Sequence, residues 1–175
     1  MTSGTARSDL LVVGIGNTLR EDDGVGIVLA ARLAAQFGGA LACRELFAAD
    51  LGLAEELGGF AELLVLDALA PAAASAPASA SASASAPTPG ATGEPYIITP
   101  LAAGPRFNAG GGLTTHTFDW GFVLAAARDL FGATPKAQLL GIRAVRFGFG
   151  ETLSPACADN AERAFAFLVD YCRQR

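Results

Sequence analysis

The chain has 175 residues, 51% of them hydrophobic and 17% charged, a length that suits one compact domain able to bury a core without staples. Twelve Lys and Arg stand against 17 Asp and Glu, a formal charge of -5. That balance argues against a phosphate-neutralising basic face, and so against nucleic acid as a partner.

Residues 1–8 are small and polar and read as a flexible N-terminus. Leu10-Leu11-Val12-Val13-Gly14-Ile15-Gly16 is a continuous apolar run ended by glycine, the pattern of a strand buried on both faces of a parallel sheet. Asp22-Asp23 precede Val25, Ile27, Val28, Leu29 and Leu33, and are placed to cap a helix that runs to Phe37 and stops at Gly38-Gly39. Residues 40–47 alternate loosely and predict a second strand. Leu51, Leu53, Ala54 and Leu57 predict a short helix ended by Gly58-Gly59, and residues 63–66 a third buried strand closed by Asp67.

From 70 to 89 every residue except Thr88 is Ala, Ser or Pro, a composition that cannot bury a core, and residues 70–93 read as a disordered insertion. Residues 96–101 predict a fourth strand. Gly110-Gly111-Gly112 leads to Thr114-Thr115-His116-Thr117, and Asp119 is placed to cap a helix over 120–130. A fifth strand over 138–147 and a long helix over 155–171 complete the chain. Strand and helix alternate throughout. The expectation is a single α/β domain made of residues 9–69 and 94–175, with a mainly parallel, twisted, five-stranded sheet and helices on both faces. Its layers would be phosphorylase/hydrolase-like or flavodoxin-like. No apolar run reaches the roughly 18 residues of a membrane span, so no membrane is expected. Three Cys, at 43, 157 and 172, form no CxxC pair, which excludes a Cys-rich metal knuckle and points to a reducing cytoplasm.

Gly14-Ile15-Gly16-Asn17 after a strand and before a helix suggests a dinucleotide fingerprint, yet Leu19 holds the third glycine's place. Glu21, Asp22 and Asp23 would repel a phosphate in the next turn. One carboxylate is enough to cap a helix, which leaves a second free to bind a cation. Asp67 ends an apolar strand, where open α/β sheets place ligand groups; it equally suits a turn before Pro71. If the first and third strands are neighbours, Asp23 and Asp67 face one crevice, and a metal ion would offset their repulsion. His116 is the single imidazole of the chain. It reads either as a hydrogen-bonded loop residue or as a third donor in a mixed N/O set for a divalent ion such as Ni²⁺ or Zn²⁺.

These residues resemble the [NiFe]-hydrogenase maturation endopeptidases. The likeness is carried by Gly14-Ile15-Gly16-Asn17, by Asp22-Asp23-Gly24 with Gly26, by Val65-Leu66-Asp67-Ala68 and by Thr114-Thr115-His116. Leu140-Gly141-Ile142 is similar to the family's late strand, and Leu153-Ser154 to the segment before its last helix. The resemblance implies metal contacts at Asp23, Asp67 and His116, with no tightly bound cofactor of the protein's own. It implies an endopeptidase, classed as aspartic-type, that recognises nickel already loaded into a hydrogenase large-subunit precursor and removes that partner's C-terminal extension. One stretch departs from the pattern: after the second strand the family has an Asp-Gly-Gly-like turn, and this chain has Phe47-Ala48-Ala49-Asp50-Leu51-Gly52. Two other readings remain at this point, a non-enzymatic nickel-sensing chaperone or degenerate paralogue, and a nucleotide-binding α/β module.

Overall fold

The first apolar run becomes β1 (Leu10–Ile15), flanked in a five-stranded sheet by β2 (Ala42–Leu46) on one side and β3 (Glu62–Leu69) on the other. Beyond β3 lie β5 (Lys136–Arg143) and, at the edge, β4 (Tyr96–Leu101), giving the order β2-β1-β3-β5-β4. Every pairing is parallel except β4 with β5. The structure, a computed structural model, describes residues 9–70, 94–104 and 119–175. The expectations for residues 1–8, for 71–93 of the Ala/Ser/Pro tract and for the loop holding His116 lie outside the described residues.

Successive side chains of a strand point to opposite faces, and both faces of this sheet are covered. Leu10, Val12, Leu64, Leu66, Leu140 and Ile142 pack against α1 (Val25–Phe37) and α4 (Pro155–Arg173). Leu11, Val13, Leu63 and Val65 pack against α2 (Gly52–Glu56) and α3 (Trp120–Phe131). Each buried Leu or Val contributes about 1.5–3 kcal/mol, which is why an unbroken apolar run rather than an alternating one specifies the central strands. The α/β class, the mainly parallel sheet and the covered faces agree with the sequence reading. Asp119 caps α3 through the Gly121 amide, as its position suggested. Among the described residues no helix is long and apolar enough to cross a membrane.

The acidic pair before α1 behaves differently from the expectation. Glu21–Gly24 is a 3-10 turn, and α1 starts behind Gly24 with no side-chain cap. Asp22 is instead fully buried and turned across the molecule. Its carboxylate accepts hydrogen bonds from the amides of Val145 (2.8 Å), Arg146 (2.9 Å) and Ser154 (2.6 Å) and from the Ser154 hydroxyl (2.8 Å). Ser154 Oγ in turn accepts from the Cys157 amide and caps α4. The expected fifth strand therefore ends at Arg143 rather than 147: the Ala144 amide makes a last bond to Leu69 O of β3, and the Val145 and Arg146 amides bond to the Asp22 carboxylate instead of a neighbouring strand. β3 continues two residues past Asp67, since its pairing with β5 runs on to Leu69 and Arg143.

Burial acts to raise the Asp22 pKa, but the amides of Ser154, Val145 and Arg146 and the Ser154 hydroxyl outweigh it, so the carboxyl lies below its ordinary 3.8. A lowered folded-state pKa contributes stability that is present above the unfolded value and is lost as pH falls through the folded one. Asp22→Asn should cost roughly 2–4 kcal/mol at neutral pH, because an amide nitrogen faces donors it cannot satisfy. Urea unfolding should show the wild type's margin over this variant shrinking below about pH 4; a margin equal at pH 7 and pH 3 would refute the charged role of Asp22.

Candidate active site

The chain turns from β1 to β2 on one side of the sheet and returns to β3 on the other, so a crevice opens at the carboxyl ends of β1 and β3. Asp67 projects from β3 at this edge, and the 3-10 turn that carries Asp23 lies over it. Their approach depends on glycine. A Cβ on Gly26 would stand 2.2 Å from the Leu66 carbonyl oxygen and 2.6 Å from that of Ile15. One on Gly16, whose φ is +140°, would stand 1.9 Å from the Asp23 carbonyl oxygen. The start of α1 is thereby seated directly on the ends of β1 and β3, closer than any side chain permits.

Within this seat Asp23 accepts a hydrogen bond from the Asn17 amide (3.1 Å), and Asn17 Oδ1 accepts from the Leu19 amide (2.9 Å) in a tight local turn. Asp67 accepts from the adjacent Ala68 amide (2.7 Å). Burial pushes the Asp67 carboxyl up to about 6; the Ala68 amide opposes that shift and the charge of Asp23 adds to it. Among the described residues neither carboxylate is paired with a cationic side chain. The structure thus brings two of the three expected site residues into electrostatic contact. His116 lies outside the described residues, and among those described no group of three His, Cys, Asp or Glu side chains is set to hold a metal ion. Two carboxylates form an incomplete donor set that a cation with vacant positions would complete.

The glycine-rich turn after β1 is not a phosphate cradle. The Gly16 amide donates to Leu46 O (3.2 Å), Asn17 to Asp23, Leu19 to Asn17 Oδ1, and Arg20 to Asn17 O (3.0 Å), so the amides that would hold a pyrophosphate are taken. Gly14 serves packing as well, since a Cβ there would lie 2.3 Å from the Gly26 carbonyl oxygen. The nucleotide reading is withdrawn on these contacts. Asp50 also resolves: it accepts from the Leu53 amide (3.2 Å) at the start of α2, a local structural task, while Phe47 stands 75% exposed at the end of β2. The sequence reading did not single out the task of Asn17, whose Asx-turn position two residues before Leu19 was the available signal.

No family model and no curated protein matches the chain. Solved structures do. The chain is similar to the hydrogenase maturating endopeptidase HybD from E. coli, with a TM-score of 0.64 and 19% identity over 94% of this chain and 92% of that one. It is similar to the [NiFe] hydrogenase maturation protease HycI from Thermococcus kodakarensis, with a TM-score of 0.60 and 21% identity over 98% and 95% of the two chains. A hydrogenase 2 maturation peptidase from a Thaumarchaeota archaeon gives a TM-score of 0.58 at 17% identity over 93% and 96%. The fold is that of the hydrogenase maturation proteases, end to end.

Two measurements test the site. Gly26→Ala should cost about 1–3 kcal/mol in urea unfolding, because its Cβ overpacks against backbone. Gly59→Ala, which faces open space, should stay within about 0.5 kcal/mol of wild type. In carboxyl NMR, Asp67 should titrate near 6, and Asp23→Asn should move that midpoint down by removing a like charge. An unchanged midpoint would separate the two carboxylates.

Proposed function

We propose that this protein is an endopeptidase that removes the C-terminal extension of a hydrogenase large-subunit precursor, and that nickel already seated in that substrate is what it recognises. The observation that carries the reading is the Asp23–Asp67 pair, held without a cationic partner among the described residues at the carboxyl edge of a hydrogenase maturation protease fold. Two like charges so placed repel one another, and a divalent ion arriving on the substrate would offset that cost. Asp23 and Asp67 would supply oxygen donors to vacant positions of the ion, and His116, two residues past Thr114 and four before Trp120, a neutral nitrogen donor. The protein then needs no resident metal. A precursor without nickel would present bare polypeptide to an acidic crevice and bind weakly.

The chemistry available at such a site is polarisation of the scissile carbonyl or activation of a water molecule at the shared ion. Asn17 and the 3-10 turn orient Asp23, and the Ala68 amide orients Asp67, so both carboxylates are positioned before substrate arrives. The partner of this reading is the large-subunit precursor, and its place is the cytoplasm, where Cys43, Cys157 and Cys172 remain free thiols.

The test is to incubate the full chain with nickel-loaded and nickel-free precursor and to weigh the products. Wild type should remove one C-terminal fragment from the loaded form only. Asp67→Asn and His116→Ala should abolish the cut, and His116→Ala should leave the thermal midpoint nearly unchanged, as truncation of a side chain in so polar and glycine-rich a sequence costs less than about 0.5 kcal/mol. Binding of the loaded precursor by wild type without a cut would favour the chaperone reading; a His116→Ala variant that cuts at the wild-type rate would end the shared-metal mechanism.

A further inference from the structure

Among the described residues eight large apolar side chains are exposed, and five of them, Leu19, Phe47, Leu51, Val145 and Phe149, fall in the segments that follow β1, β2 and β5. That is the edge of the sheet that carries Asp23 and Asp67. Phe149 is the extreme case, 98% exposed, within Phe147-Gly148-Phe149-Gly150. Singly scattered exposed apolar residues need no explanation, but a group of them beside a crevice does.

The backbone that carries Phe149 is fastened. The Gly148 amide donates to Glu21 Oε2 (3.0 Å), the Gly150 amide to Leu19 O (3.0 Å), and the Glu21 amide to Gly150 O (2.7 Å). The glycines let this loop lie against Glu21: a Cβ on Gly148 would stand 2.9 Å from Glu21 Oε2, and one on Gly150 3.2 Å from Glu21 Cγ. Glu21 itself sits at φ +47°, a conformation uncommon for a residue with a side chain, and Arg146 approaches its carboxylate at 3.6 Å. Strain at Glu21, three hydrogen bonds and an ion pair thus hold the backbone of Phe149 against the segment of Leu19, itself 58% exposed, which leads into the turn that presents Asp23. An aromatic pre-set in this way loses little freedom on binding.

We propose that Phe149 and Leu19, with Phe47 at the end of β2, form an apolar grip for an apolar stretch of the precursor polypeptide, held beside the carboxylate pair. The grip rests on the endopeptidase reading above and adds to it how the polypeptide, as distinct from its nickel, is selected. Charge complementarity chooses the occupant. Asp23 and Asp67 lack a cationic partner among the described residues, so a partner that brings a cation complements this edge. A second copy of this chain, with a net charge of -5, would set carboxylates against carboxylates. A polypeptide that carries a divalent ion meets both the acidic and the apolar parts of the surface.

The experiment measures affinity for nickel-loaded precursor and cleavage kinetics side by side, in the full chain, for wild type, Phe149→Ser, Leu19→Ser and Phe149→Leu. Phe149→Ser and Leu19→Ser should each raise Kd and KM about tenfold with kcat unchanged, the mark of lost uniform binding. Phe149→Leu should recover most of the affinity, and the unfolding midpoints should stay within about one degree, as expected of exposed sites. Unaltered Kd and KM in Phe149→Ser would overturn the grip while leaving cleavage by wild type, and so the enzyme reading, intact. Wild type that binds precursor through Phe149 but never cuts it would overturn the enzyme reading and keep the grip. A wild-type dimer in sedimentation that Phe149→Ser dissociates, with precursor affinity unchanged, would give the surface to a second copy and refute the proposal.

Discussion

The buried carboxylate of Asp22 is the tie on which the functional edge depends. It closes no helix of its own; it binds three amides and a hydroxyl from a segment more than a hundred residues away, and through Ser154 it reaches the first turn of α4. A buried anion is tolerable only when such donors surround it, because the alternative is desolvation without compensation. By satisfying that demand the 144–154 segment is drawn across the start of α1. The turn between β1 and α1 is then fixed from both sides, by the sheet beneath and by this segment beside it.

Fixing that turn is what gives Asp23 a defined place. Asp22 is buried, and Asp23, the next residue, accepts from the Asn17 amide with its charge acting on Asp67, so the structural and the candidate functional carboxylate share one stretch of backbone. The glycines at 14, 16 and 26 complete the arrangement, since backbone lies against backbone where any Cβ would collide. Burial makes Asp67 harder to ionise. The like charge of Asp23, within reach, adds to that cost.

The same turn also carries exposed apolar surface. Leu19 and Phe149 are joined by the hydrogen bond between Gly150 and Leu19, and Glu21 braces the loop from below. Acidic and apolar groups therefore stand together on one rigid platform. They do so on a fold that is also that of hydrogenase maturation proteases.

Much of this was legible in the linear chain. Apolar runs at 10–15 and 63–66 announced strands covered on both faces, because only burial on both sides favours an unbroken run. The glycine breaks and the Asp119 cap were legible too, and Asp23 and Asp67 would share one edge if the first and third strands were neighbours, which the pairing of β1 with β3 shows. Local spacing could not divide the labour of Asp22 and Asp23, since both suit a helix cap and the partner that separates them, Ser154, is distant in sequence. For the same reason residues 144–147 read as strand: their side-chain pattern is local, while the amides of Val145 and Arg146 are claimed by a remote carboxylate. The purpose of Gly14 and Gly16 was likewise undecided between cradling a phosphate and admitting a close backbone. Sequence determined which segments must be buried and which residue types could do chemistry; tertiary packing alone decided which neighbours each polar group would meet, because hydrogen bonds and charges act through space and not along the chain.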